Sequence, residues 1–88
     1  MKDLIGRWAA GDEAAGETLY RNYFDRVRDF LASRGVKRAD AEDIAQDALI
    51  AGLDSLREGA KPEQLTAWII GIAKHVSARQ THLLLRTI

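Results

Sequence analysis

Apolar residues recur every three or four positions through most of this chain, and glycines interrupt the rhythm. At about 100° per residue, such spacing gathers side chains on one face of an α-helix. Leu19, Tyr20, Tyr23, Phe24, Val27, Phe30 and Leu31 follow it and predict a helix ending near Ser33. Asp12 stands before this helix as a natural N-cap, with an oxygen to accept a bond from a free amide of the first turn. Gly35 is placed to terminate it. A shorter helix, Lys2 to Ala10, is expected before it, stopped by Gly11.

A third helix is expected from about Ala39 to Arg57. Ala41, Ile44, Ala45, Ala48, Leu49, Gly52 and Leu56 form its core stripe, with small residues that let another helix approach closely. The longest break is Glu58-Gly59-Ala60-Lys61-Pro62. A fourth helix is expected from Pro62 or Glu63 to about Leu84, since proline suits a first turn. Its core stripe is Leu65, Trp68, Ile69, Ile72, Ala73 and Val76. No segment alternates strictly as a half-buried strand would. The predicted fold is all-α, a compact bundle of three to four helices with neighbours mostly antiparallel.

Two surfaces are left over. On the third helix, Asp43, Gln46, Asp47, Ile50, Asp54 and Arg57 gather opposite the core stripe. An isoleucine there sits amid carboxylates, which suits a basic protein surface. The plainer reading is a solvated face with one exposed apolar residue. On the fourth helix, Trp68, His75, Arg79, His82 and Arg86 run along one flank. Lys74 lies further round, and Lys61 lies in the preceding loop. An aromatic beside cations is suited to stacking an unpaired base and holding a phosphate backbone. The plainer reading is a core tryptophan with ordinary surface charges.

Composition narrows the choice. Eighty-eight residues fit one domain, 1–88. Thirteen basic residues balance thirteen acidic ones, which argues against a general polyanion binder but not against a local basic stripe. With no cysteine, disulfides and thiolate metal sites are ruled out. The opening residues lack the apolar run of a signal peptide, and no stretch approaches the roughly 20 apolar residues of a membrane span. The expectation is a cytoplasmic protein. Catalysis finds little support: there is no phosphate loop, no His-Glu-x-x-His pair and no Glu-x-x-His pair. Adjacent Glu42 and Asp43 point to different sides of a helix, and Ser77 has no oriented base. No enzyme, metal or cofactor is expected.

The run Ala39-Asp40-Ala41-Glu42-Asp43-Ile44-Ala45-Gln46-Asp47 is followed about twenty residues later by Ala67-Trp68-Ile69-Ile70-Gly71-Ile72-Ala73-Lys74-His75. Together these resemble region 2 of the extracytoplasmic-function sigma factors. Ala10 to Ala15 and Leu19 to Tyr23 are similar to that family's opening helices, so the resemblance spans about Asp3 to Arg79. It implies a transcription initiation domain whose third helix docks on the β′ clamp helices of RNA polymerase. The matching positions are Asp43, Gln46 and Asp47, with Ile50 one turn on. The resemblance also implies that the fourth helix and its preceding loop open and read the promoter −10 element on the single-stranded non-template strand. The matching positions are Lys61, Trp68, Lys74, His75 and Arg79.

Departures from the family pattern bring in an alternative. The family usually carries an aromatic near Leu53, an asparagine at His75, an acid at Arg79, a phenylalanine near Gly59 and further arginines where this chain has His82-Leu83-Leu84-Leu85. The family's separate domain for the −35 element is absent from these residues. The alternative is a sigma-like decoy that binds an anti-sigma factor or polymerase without reading DNA. An unrelated helical adaptor, with Leu83, Leu84, Leu85 and Ile88 as an adhesive end, is the third reading.

Overall fold

The computed structural model describes the backbone of residues 2–87 and the side chains of residues 4–79. It consists of four helices: α1 (Lys2–Ala9), α2 (Glu13–Ser33), α3 (Arg38–Arg57) and α4 (Leu65–Thr87). No strand occurs among the described residues. The expected all-α bundle is thus observed. The apolar Leu83 to Leu85 run, His82, Arg86 and Ile88 lie outside the described side chains.

The predicted boundaries hold to within a residue at most ends. The start of α4 is different. Pro62 does not open the helix but lies in the connection, and the first turn is closed by Trp68 N–H donating to the Gln64 carbonyl at 3.0 Å. The reason is packing: helices are held chiefly by their buried face. That face begins at Leu65, and Glu63 and Gln64 are exposed. The far end runs to Thr87 rather than Leu84.

α1, α2 and α3 all end in the same way. The amide of a glycine bonds back three residues and the next amide bonds back five. At α2 these are Gly35 to Ala32 O (3.0 Å) and Val36 to Leu31 O (3.1 Å). This closure needs a left-handed residue, and Gly35 has φ +91°, a region that costs other residues a steric penalty. At the other end of α2, Asp12 caps the helix as expected. Its carboxylate accepts from Ala14 N–H at 3.0 Å and Ala15 N–H at 3.4 Å, and from Arg7 Nε at 2.9 Å. The Arg7 bond, helped by the two amides, holds this carboxyl below its ordinary pKa. Its contribution to stability is complete above the unfolded-state pKa. It is lost as pH falls through the lower folded-state value.

The core stripe of α3 is buried at every predicted position, from Ala41 to Leu56. α3 is the central helix, packed between α2 and α4, with α1 laid across the near end. The opening turns of α2 meet the closing turns of α3, so the two run antiparallel. Trp8 seals that junction. It is 8% exposed, and its Nε1 donates to the Leu53 carbonyl at 2.7 Å.

Gly16 makes this seal fit, because a Cβ there would overlap the Trp8 ring. Gly16→Ala is therefore expected to cost about 1–3 kcal/mol through overpacking. In a thermal melt followed by circular dichroism this is a fall in Tm on the order of 10 °C. An unchanged Tm would mean that α1 shifts freely and that Trp8 does not lock it.

Candidate functional site

The outer face of α3 is built by helical spacing alone. Asp43, Gln46, Asp47 and Ile50 stand at intervals of three and four residues and are all exposed. Ile50 is 48% exposed and is the one exposed large hydrophobic side chain among the described residues. Asp54 follows one turn later. Among the described residues no cation pairs with Asp43, Asp47 or Asp54.

Arg57 was grouped with this face by periodicity, but the fold draws it elsewhere. Its guanidinium lies 3.4 Å from the centroid of the Trp8 ring. Its Nε and a terminal nitrogen donate to the Trp8 carbonyl at 3.3 and 3.2 Å, and it pairs with Glu13 at 3.1 Å. A positive charge is thereby engaged at the α1 junction. What remains on the α3 face is an apolar centre ringed by unpaired carboxylates. Such a surface suits a basic partner, which could bury one apolar side chain on contact.

The five residues expected to meet DNA do not form one patch. Trp68, His75 and Arg79 share a flank of α4, being seven and four residues apart. His75 and Arg79 are exposed, whereas Trp68 is half-buried. Its ring packs over Gly52 of α3, 3.5 Å from where a Cβ would stand. Lys61 is exposed in the connection before α4. Lys74 lies toward the opposite flank, its Nζ 5.5 Å from the centroid of the Phe30 ring of α2.

Two features were not read from the sequence. One is an open cleft of 520 Å³ at the α1 junction, lined by Trp8, Gly16, Tyr20 and Leu53 with Glu13, Glu17 and Arg21. Tyr20 stacks on Phe24, with ring centroids 5.5 Å apart, and burial pushes its hydroxyl pKa up. The other is a smaller cleft of 290 Å³ between the end of α2 and the middle of α4. The only advance signal for either was the spacing of single helices, which does not say which faces meet. No cluster of three His, Asp or Glu side chains suited to a metal occurs among the described residues. No helix among them is long and apolar enough to cross a membrane.

A helical bundle with an exposed acidic ridge on one helix and an aromatic with cations on another presents surfaces suited to binding macromolecules. The comparisons give the family: the Sigma-70 region 2 model matches residues 19–81, and the chain belongs to that family. No curated protein and no solved structure matches it significantly. The family is one of transcription factor domains rather than enzymes, with a role in binding RNA polymerase and recognising promoters. The match runs from Leu19 through α3 and well into α4. Trp8, Glu13 and Gly16 lie before it.

Proposed function

We propose that this domain is of the extracytoplasmic-function type, docks on the β′ clamp helices and recognises the −10 element. In this reading Asp43, Gln46 and Asp47 steer a basic partner surface, and Ile50 is buried on contact. Lys61, Trp68, His75 and Arg79, with Lys74, meet the unpaired non-template strand. An unpaired base exposes a hydrogen-bonding edge that a duplex conceals. The observation that carries the docking reading is Ile50: a large apolar side chain held in water amid unpaired carboxylates.

The test is fluorescence anisotropy of the 88-residue chain against a β′ clamp-helix fragment and, separately, a randomised pool of single-stranded DNA. Binding to both, with a short consensus selected from the pool, is expected. Asp47→Lys should weaken clamp binding by about 1 kcal/mol, roughly fivefold, through like-charge repulsion. It should leave Tm unchanged, because Asp47 is exposed and unpaired. Unchanged affinity would remove the docking face.

A second reading, the regulatory decoy, draws on one observation. Trp68 is engaged with Gly52 and Lys74 stands apart, so the cations are dispersed. Clamp binding without any DNA binding would establish it, with an anti-sigma factor as the partner to seek.

A further inference from the structure

The cleft between α2 and α4 brings together like charges, with no acidic residue in its lining. Phe30 of α2 lies half-buried at its centre. Arg34, at the end of α2, and Lys74, in the middle of α4, each place their charge 5.5 Å from the Phe30 centroid. The two charges therefore stand at most twice that distance apart. Leu31, Val36, Ser77 and Ala78 complete the lining, and no acidic residue takes part. Among the described residues neither Arg34 nor Lys74 forms an ion pair. Lys37, exposed and next to Val36 in the chain, adds a third cation at this end.

Ordinary helix chemistry explains only part of this. A cation at the end of α2 is favoured by the helix dipole, which accounts for Arg34. Lys74 comes from the interior of another helix, where only the face of the Phe30 ring draws it. An anion placed beside both cations would relieve their mutual repulsion. The half-buried Ser77 hydroxyl supplies a neutral donor beside them.

We propose that Arg34, Lys74 and Ser77, grouped around Phe30, seat a backbone phosphate of DNA on the flank of α4 opposite Trp68. This rests on the reading of α4 as the DNA-binding helix and gives Lys74 a role separate from that of His75 and Arg79. Position favours DNA over an isolated phosphate. The solvent ridge of α4 between the two flanks is Ala67, Gly71 and Ala78, all exposed and small. Nothing lies within 4 Å of a Cβ placed at Gly71. A strand held by His75 and Arg79 has a smooth path across that ridge to the cleft. DNA is then gripped on both sides of one helix.

The test is the salt dependence of binding to the randomised single-stranded pool, for the intact chain, Arg34→Gln/Lys74→Gln and Arg79→Gln. Each phosphate contact contributes about 0.7 to the slope of log affinity against log salt for single strands. The double variant is expected to lower the slope by about 1.4, with an affinity loss on the order of tenfold at low salt. Arg79→Gln should lower it by about 0.7, additively with the double variant. Equal helical circular dichroism of all forms checks the fold.

If the intact chain binds the pool and the double variant keeps its slope, the phosphate seat is overturned while DNA binding by the other flank stands. If the intact chain binds no DNA, the DNA part of the proposed function falls first and takes this seat with it. A third arm uses phosphatidylglycerol vesicles. Cosedimentation lost in the double variant, with DNA binding unaltered, would overturn the assignment to DNA in favour of a lipid headgroup.

Discussion

Replacing Trp8 with alanine is expected to remove a large share of the chain's folding stability. Truncating a buried tryptophan costs about 3–5 kcal/mol. A chain of this size has a total stability of roughly 4–13 kcal/mol, taking about 0.05–0.15 kcal/mol per residue. The loss would fall at the upper end of the range because three supports go at once. The indole is 8% exposed, so its apolar area is lost to the core. Its Nε1 bond to the Leu53 carbonyl, 2.7 Å long, disappears. The Arg57 guanidinium loses the ring it lies against at 3.4 Å.

The expected fall in Tm is on the order of 20 °C. Trp8→Phe separates the contributions: it keeps most of the apolar surface and loses chiefly the hydrogen bond, worth about 1 kcal/mol. A melt in which Trp8→Ala shifts Tm by less than about 5 °C, about 1 kcal/mol at this size, would mean that α1 is a dispensable flap. That matters for function, because α1 lies before the residues matched to the family and yet braces the closing turns of α3.

The same residue marks the limit of what a sequence discloses. Periodicity reports the face that each helix buries. It was therefore enough to predict the buried stripe of α3 position by position, from Ala41 to Leu56, while the glycines marked the closures at Gly11 and Gly35. It was also enough to isolate Ile50 on the polar side, because exposure opposite a core stripe follows from geometry alone. It does not report which residue of one helix meets which residue of another. Arg57 fell on the same face as Asp43 by angle, but a residue 49 positions earlier captures its charge.

Phe30 was read correctly as part of the α2 stripe, yet nothing local shows that Lys74 would lie over its ring. Pro62 misled for a different reason: it is compatible with a first helical turn, but Glu63 and Gln64 after it are polar and exposed, and the apolar face begins only at Leu65. The exposed face of α3 was legible because it belongs to one helix. The clefts were not, because they belong to pairs of helices.

The division of labour on α3 leads to the sharpest functional expectation. Charges around a contact mainly set how fast partners meet, whereas a desolvated apolar anchor mainly sets how long they stay. Ile50→Ala removes only the anchor. A central apolar residue of this kind is worth about 2 kcal/mol or more on truncation. The dissociation constant for the β′ clamp-helix fragment is therefore expected to rise roughly thirtyfold, at about tenfold per 1.4 kcal/mol.

The change should appear almost wholly in the dissociation rate, with an unaltered salt dependence of association. Asp47→Lys should do the reverse, slowing association and changing its response to salt. Stability offers the control, since Ile50 is already 48% exposed and contributes little to the core. Tm should stay within about 2 °C of the unsubstituted chain, because exposed changes move stability by about 0.5 kcal/mol at most. Biolayer interferometry with the clamp fragment immobilised reads both rates in one experiment. If Ile50→Ala dissociates at the unsubstituted rate, the isoleucine is simply a solvent-exposed residue on a charged helix, and the contact with polymerase must be sought on another face of the bundle.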